Sequence, residues 1–560
     1  MNSHYLATLF EPESVAVIGA TERAGAIGAV LMENMLAGPY RGRLYAVNPK
    51  YGEVRGVRCY RDVGKLPQPA QLAVIATPPA SVPRVIEQCG RAGIRSAVVI
   101  TAGFSETGAE GARLESKLLQ HAQRYGVRLV GPNCLGIMRP EIGLNATFAR
   151  GNALPGSLGL ISQSGAICTA LLDWARPNGV GFSSVVSLGG SADIDFGEIL
   201  DYLVYDPRTE QVLLYIEGIR DARRFMSALR AAARAKPVIV MKSGRHPSGA
   251  RAAVSHTGAM VGSDDVFEAA VRRTGAVRVT TIGQLVAAAQ ALSSRIHPQG
   301  NRLAIVTNGG GPGVLAADRA SDLGVPLAEL APETVGRLKD ALPANWSHAN
   351  PVDLIGDADA ARYDAAVSAC LADPGVDGVL AILTPQAMTA PTEVATAVAQ
   401  WAARSTKPLL ASWMGEDQVI EGRAVLRAAS IPVFRTPEPA VEMFAHVSSY
   451  FRNQRMLLQT PPPLAERSAP DVDGAIEIVR AALGQQRKIL TAAESKALLA
   501  AFHIPVVQPV RAGSAQDAAR VAKGLGFPVA MKIDSPDITH KSDVGGIAAS
   551  EICSASSTHS

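Results

Sequence analysis

Ser14–Gly28 reads SVAVIGATERAGAIG, and the fold is decided in this stretch. A short apolar run rich in Val and Ile passes through Gly19, Gly25 and Gly28 into an Ala-rich helical segment. Such a strand, glycine turn and helix form the basic unit of a parallel sheet covered on both faces. The unit recurs outward along the chain. LAVIAT (72–77), SAVVIT (96–101) and VRLVG (127–131) follow, then GLIS (159–162), QVLLYIE (211–217) and PVIVMK (237–242). RLAIVT (302–307), GVLAILT (378–384) and PLLASW (408–413) complete the set, each separated from the next by helical patterns. Doubly wound α/β units are the architecture these runs predict.

The glycine turn lets backbone N–H groups approach phosphate oxygens ahead of a helix whose dipole favours negative charge. A tight strand–helix turn without a ligand has the same sequence. The spacing is not G-x-G-x-x-G, so the dinucleotide fingerprint is absent. Three more loops follow predicted strand ends: Val47-Asn48-Pro49-Lys50, Ala76-Thr77-Pro78-Pro79 and Thr101-Ala102-Gly103-Phe104. Ligands of open α/β sheets bind outside the carboxyl ends of the strands, so these loops line one crevice. They indicate a nucleotide-like ligand other than an evident NAD.

Composition bounds the rest. The 560 residues correspond to about three or four domains. A hydrophobic fraction of 47% and a charged fraction of 19% exclude wholesale disorder. Fifty-four Lys and Arg against 50 Asp and Glu leave a charge of +4, too balanced for coating nucleic acid. No apolar run approaches the ~20 residues of a membrane helix, and the N-terminus lacks a secretory pattern. Six scattered cysteines without CxxC spacing read as reduced thiols. The reading is a soluble, multidomain, cytoplasmic protein without nucleic-acid or membrane partners.

Boundaries follow from composition. GPNCLGIMRPEIGLNATFARGNALPGSLG (131–159) has no periodicity and reads as a connection, and HPQGN (297–301) separates a second unit from a third. TPPPLAERSAP (460–470) is an extended linker, and a short fourth unit begins near Asp471. GLISQSGAICTALLDW (159–174) and LAIVTNGGGPGVLAADRA (303–320) repeat the order strand, glycine turn, helix. Units two and three are therefore read as related flavodoxin-like domains.

Four further positions carry chemistry or a plainer role. His256 in VSHTG (254–258) precedes an amphipathic stretch. There it serves as a neutral nucleophilic nitrogen or as a surface hydrogen-bonding residue. Glu217 closes QVLLYIE and either orients an imidazole or forms a cap or salt bridge. In FPVAMKIDSPDITHKSDVGG (527–546), Lys532 ends a strand and His540 follows in a loop. They bind nucleotide phosphate and accept a phosphoryl group, or are an edge lysine and an exposed loop histidine.

GPNCLG, SQSG, YIEG, SHTG, TNGGGPG, NPVDL and SPDITHKSDVGG occur in this order along the chain. In that order they resemble the NDP-forming acyl-CoA synthetase family, relatives of succinyl-CoA synthetase typified by ADP-forming acetate–CoA ligase. The resemblance implies an α/β chain with a Rossmann-like CoA-binding domain at 1–135. Two flavodoxin-like succinyl-CoA-ligase domains at 150–296 and 300–455, a linker at 456–470 and the start of an ATP-grasp domain at 471–560 follow. It implies an enzyme that makes an acyl-CoA from a carboxylic acid, CoA and ATP through acyl phosphate and phosphohistidine. His256 would carry the phosphoryl group, Glu217 would stabilise it and His540 would shuttle it to ADP. Lys532 would hold nucleotide phosphates beside Mg²⁺. Cofactor contacts fall on Gly19, Ala20, Thr21, Asn48, Pro49, Lys50, Thr77, Pro78 and Asn133, and on Ser162, Ser164, Gly165, Asn308, Gly310 and Gly311 in the glycine turns. No metal ligand is assigned.

The family commonly has Asn where SLGGSAD (187–193) carries Gly190, a change at the acyl pocket. After Gly546 the family pattern gives way to IAASEICSASSTHS, which reads as a truncation or a shifted frame. A second chain completing the ATP-grasp domain, in a homo- or hetero-oligomer, is the implied partner. Two competitors remain at this level. One is a non-catalytic CoA-binding protein, regulatory or part of a protein acetyltransferase. The other is a nicotinamide dehydrogenase, against which the missing fingerprint counts.

Overall fold

The opening run is a strand with every residue buried, Ser14–Ile18 (β1). β-branched side chains suit a pleated surface packed on both faces, and each buried Val or Ile contributes about 1.5–3 kcal/mol. In this computed structural model β1 sits mid-sheet, paired in parallel with Arg43–Val47 (β2) and Leu72–Ile75 (β5). Glu53–Val54 (β3) and Val57–Tyr60 (β4) form a hairpin beyond β2. Ser96–Val99 (β6) and Arg128–Val130 (β7) extend the other side, giving the order β3-β4-β2-β1-β5-β6-β7. The structure describes residues 4–249, 263–293, 298–458, 469–507, 509–535, 538 and 547–550.

The second sheet has the order β14-β13-β12-β10-β11-β8-β9. Its strands are Gly136–Arg139 (β8), Leu144–Thr147 (β9), Pro155–Ser162 (β10) and Phe182–Ser187 (β11). Gln211–Ile216 (β12), Val238–Lys242 (β13) and Val277–Val279 (β14) complete it. The third sheet is parallel throughout, in the order β16-β15-β17-β18-β19. It comprises Leu303–Thr307 (β15), Val352–Asp353 (β16), Gly378–Leu383 (β17), Leu409–Trp413 (β18) and Val433–Phe434 (β19).

One expectation is corrected here. The stretch 131–159, read as an aperiodic connection, contains β8 and β9, an antiparallel hairpin buried at every residue. β8 also pairs antiparallel with β11, so the second sheet is mixed. The stretch lacks apolar periodicity because its buried polar side chains find partners. Arg139 donates to Ser184 Oγ and to Asp206 Oδ2, each at 2.6 Å. Asn145 Nδ2 donates to Asn152 Oδ1 at 2.7 Å and to Gly151 O at 3.1 Å.

Helices cover both faces. Ala222–Ala235 buries Phe225, Ala228, Leu229, Ala232 and Ala233, the spacing of one helical stripe. Asp221 caps it by accepting from the Arg224 N–H. The first two sheets share one core, in which Val15, Val17 and Leu31 join Ile161, Val186, Phe196 and Leu214. Asn34, on helix Ile27–Ala37, donates to Thr147 O and Ala149 O at 2.8 Å and ties that helix to β9.

Residues Met1–Gln459 form one compact unit and Thr460–Ser560 another. The second contains helices Val472–Gly484, Ala492–Ala501 and Ala515–Leu525 and the antiparallel pair Val529–Lys532 (β20) and Ile547–Ser550 (β21). Its described core is small, with Ala475, Ala482 and Ala522 buried, as so short a segment leads one to expect.

Candidate active site

In each of the three large sheets the chain leaves a central strand first to one side and then to the other. Those strands are β1, β10 and β15, and each runs into a glycine-containing turn and a helix. The reversal opens a crevice at the strand's carboxyl end, where open α/β sheets hold ligands.

At the first crevice Gly19 adopts φ +98°, and its backbone lies against Ala76 at the end of β5. Gly28, in the first turn of Ile27–Ala37, packs against the Gly19 carbonyl. At either position a Cβ would come well under 3.0 Å from backbone oxygen. The two glycines therefore bring turn, helix and strand end together. Asn48 Nδ2 donates to Ala20 O at 2.8 Å, and its Oδ1 accepts from the Lys50 N–H at 3.0 Å. Thr21 Oγ1 lies 2.9 Å from the Tyr51 hydroxyl. Thr101 donates its hydroxyl to Thr77 O at 2.7 Å. No side chain caps Ile27–Ala37, while Pro49, Lys50 and Pro78 are exposed. The arrangement suits a phosphate-bearing ligand.

A chain of hydrogen bonds leads from this crevice to the second. The Asn133 N–H donates to Thr101 O at 2.9 Å, and Asn133 is itself exposed at φ +56°. The Gly190 N–H donates to Pro132 O at 2.8 Å and the Ala192 N–H to Gly131 O at 3.0 Å, so the SLGGSAD loop lies on GPNC. The Leu188 N–H then reaches Ser162 O at 2.8 Å, and the Leu135 N–H reaches Ser187 Oγ at 3.0 Å.

At the end of β10, Ser162 Oγ accepts from the Ser164 N–H at 3.0 Å and donates to Ser164 O at 2.9 Å. Ser164 caps helix Gly165–Ala175 through the Ile167 N–H at 3.4 Å. The Gln163 side chain crosses to the end of β12. Its Oε1 accepts from the N–H groups of Glu217 (2.6 Å) and Gly218 (3.0 Å), and its Nε2 donates to Gly218 O (2.9 Å). Glu217 is 9% exposed. Sequence reasoning placed Gln163 in the turn but gave it no role, since its partners lie more than fifty residues away.

The third sheet repeats the device. Thr307 Oγ1 accepts from the Gly309 N–H at 3.0 Å and donates to Gly309 O at 2.9 Å. Asn308 Nδ2 donates to Thr384 O at 2.9 Å, and its Oδ1 accepts from the Thr384 N–H at 2.8 Å. Gly310 and Gly311 open helix Gly310–Asp322 behind Gly309, with no side-chain cap. Aligning SQSG with TNGG would have set Gln163 opposite Asn308, the one signal available in the sequence. No hydrogen bond joins the two turns among the described residues.

His256 and His540 lie outside the described residues. Lys532 is exposed at the end of β20 in the second unit. Burial pushes the thiols of Cys134 and Cys168, near the Ser162–Gly165 turn, up to about 12, which removes both as nucleophiles near neutral pH. Burial also lowers the Lys242 ammonium at the end of β13. Among the described residues no group of three or more His, Cys, Asp or Glu could hold a metal ion. None of their helices is long and apolar enough to cross a membrane.

Comparison with known proteins completes the picture. Family models match residues 13–140 (CoA binding domain), 155–292 (succinyl-CoA ligase like flavodoxin domain), 303–455 (ligase-CoA domain) and 481–555 (ATP-grasp domain). The chain is 41% identical to acetate–CoA ligase [ADP-forming] I of Archaeoglobus fulgidus, over 96% of this chain and 77% of that protein. It is 40% identical to the alpha subunit of acetate–CoA ligase [ADP-forming] I of Pyrococcus furiosus, over 78% of this chain and 96% of the subunit. An acetyl-coenzyme A synthetase 1 of Ca. Korarchaeum cryptofilum, solved with phosphate and ADP, superposes with a TM-score of 0.77. It is 35% identical and covers 82% of this chain and all of that one. These findings support CoA and ATP or ADP as cofactors and favour a ligase over a non-catalytic CoA-binding protein. With an α/β fold of CoA-binding, succinyl-CoA-ligase-like and ATP-grasp parts, the chain belongs to the NDP-forming acyl-CoA synthetase family and is an acid–CoA ligase.

Proposed function

We propose that the chain joins a small carboxylic acid to CoA at the expense of ATP, with His256 as the phosphoryl carrier. A nitrogen of the His540 imidazole attacks the terminal phosphorus of ATP and ADP leaves; a nitrogen of the His256 imidazole then takes the phosphoryl group and restores His540. A carboxylate oxygen of the acid then attacks phosphohistidine, giving an acyl phosphate and restoring the imidazole. The CoA thiolate attacks the acyl carbon and displaces inorganic phosphate. A carboxylate is a poor electrophile, so phosphorylation supplies the leaving group that a thiol can displace. Splitting the transfer leaves each step to positioning and to N–H groups.

Gly19, Ala20, Thr21, Asn48, Pro49, Lys50, Thr77, Pro78 and Asn133 line the CoA crevice in this proposal. Ser162, Ser164 and Gly165, with Asn308, Gly310 and Gly311, present N–H groups to phosphoryl oxygens. Glu217 accepts a hydrogen bond from the second imidazole nitrogen. Lys532 holds nucleotide phosphates, and His540 relays the phosphoryl group between nucleotide and His256. The described residues offer Mg²⁺ no ligand set, and the steps above run on protein groups and substrates. Assembly into an oligomer, including with a second chain bearing ATP-grasp elements, belongs to the same proposal. Its support is that relatives are named as alpha subunits. A cytoplasmic location fits the five unpaired cysteines among the described residues.

The observation that carries the proposal is the hydrogen-bonded path from Thr77 through Asn133 and Leu188 to Gln163 and Glu217, which makes the two crevices neighbours. Its test is the half-reaction without nucleotide. Acyl-CoAs and radiolabelled phosphate should leave acid-labile, base-stable label on the chain, absent in His256→Ala. Equal labelling of that variant would overturn the assignment, and the acyl-CoA giving most label identifies the acid.

A further inference from the structure

Glu217 directly follows the strand β12 and is followed by Gly218, a place where a peptide turns freely unless something holds it. Among the described residues, the Gln163 side chain holds it. The Gln163 carboxamide makes three hydrogen bonds to the Glu217–Gly218 backbone, and the Gln163 N–H donates to Tyr215 O at 3.2 Å. The same residue lies between Ser162 and Ser164, whose mutual hydrogen bonds shape the adjacent turn. Gln163 thus fastens the turn at β10 to the acid at β12.

We propose that Gln163 is a positioning residue for phosphoryl transfer, fixing the direction of the Glu217 carboxylate relative to the Ser162–Gly165 turn. The inference rests on the role proposed above for Glu217. The third sheet shows the alternative form of the clamp. Asn308, one methylene shorter, holds the single residue Thr384, by its N–H, its carbonyl and its hydroxyl, the last at 3.0 Å. Glutamine's extra methylene lets Oε1 take two successive N–H groups, which fixes the peptide plane between Glu217 and Gly218. A displacement near 1 Å in a group that orients a reacting centre costs up to roughly 100-fold in rate.

The experiment uses the full chain in the acyl-CoA and radiolabelled phosphate assay, with Gln163→Ala, Glu217→Gln and the double variant. Gln163→Ala should slow labelling roughly 10- to 100-fold while the acyl-CoA concentration for half-maximal rate stays within about twofold. In the Glu217→Gln background the same change should cost less than about threefold, because it acts through that carboxylate. Gln163→Glu keeps the acceptor and the shape, loses the Nε2 donor and adds charge beside Glu217. Its labelling should fall further as pH rises through the carboxylate range. Gln163→Asn, the third sheet's solution, should recover part of the rate. Thermal melting checks the fold, and Gln163→Glu and Gln163→Asn carry the test if Gln163→Ala does not fold. Losses that multiply independently in the double variant overturn the positioning role while leaving Glu217 in place. Undiminished labelling of Glu217→Gln overturns both that role and the inference built on it.

Discussion

Gly28→Ala separates helix propensity from close approach at the first crevice. Gly28 lies inside helix Ile27–Ala37 with ordinary helical backbone, so alanine alone should add about 1 kcal/mol. Its Cβ would instead fall well under 3.0 Å from the Gly19 carbonyl oxygen. Unstrained C···O contacts lie at about 3.3–3.6 Å, so the helix must withdraw by roughly 1.3 Å or more. It has no slack to do so. Leu31, Met32 and Met35 are buried on its inner face, and Asn34 is bonded to Thr147 O and Ala149 O. Overpacking of this kind costs about 1–3 kcal/mol, which cancels the propensity gain and leaves a net loss near 1 kcal/mol. Because the moving group is the turn itself, CoA affinity should fall roughly tenfold or more, about 1.4 kcal/mol. Gly336→Ala is the matched control. It lies exposed in helix Pro332–Ala341 with nothing within 4 Å of the new Cβ, so it should raise Tm by about 1 °C and leave CoA binding alone. Calorimetric titration with CoA and thermal melts of both variants decide the matter. If Gly28→Ala matches Gly336→Ala in both readings, the packing argument for this crevice is wrong.

Other consequences can be checked with the same protein. Ser164→Ala removes the cap of Gly165–Ala175 and should cost about 0.5–1 kcal/mol in a denaturant melt. Labelling by phosphate should fall by more than the cap energy accounts for, and a matching loss would confine Ser164 to a structural role. Arg139→Met leaves the Asp206 carboxylate buried opposite no cation, a loss of about 3–5 kcal/mol that Asp206→Leu in the same chain should largely restore. The Asp206 carboxyl is raised by burial but brought below the ordinary value by Arg139, Thr209 and the Arg208 N–H. Its contribution to stability is therefore whole above the unfolded value near 3.9 and is lost as pH falls through the folded one. Acid unfolding below about pH 4 should be shallower in Asp206→Asn, and an unchanged slope would remove Asp206 from that transition.

The ten quoted apolar runs are all strands, because buried parallel strands announce themselves by unbroken Val, Ile and Leu. Short strands such as Val433–Phe434 went unquoted, and the longer ones that stayed hidden in the second sheet were polar. FSSVVS (182–187) is a fully buried strand whose serines are satisfied at a distance. Ser183 pairs with Thr209, Ser184 with Arg139 and Ser187 with the Leu135 N–H. The hairpin of β8 and β9 escaped notice for the same reason. At the site, the glycine turns and Glu217 were legible as types at strand ends. Gln163 was not, since a hydrogen bond across two strands leaves no trace in local pattern. The SQSG and TNGG turns were readable as a repeat, but their shared clamp depends on side-chain length, which only the paired strand ends reveal.

The core common to the first two sheets also says where the gene can be divided. Val15, Leu31 and Val130 share one hydrophobic cluster with Ile161, Phe196 and Leu229, so a break between them would leave two halves with wet interiors. Among the described residues, every member of the hydrophobic clusters lies before Gln459, where the first compact unit ends. The Pyrococcus furiosus alpha subunit matches 443 residues of this chain, nearly the length of the first unit. A division of the chain would then be expected at that seam, with the first crevice and the Glu217 crevice kept together as one cassette.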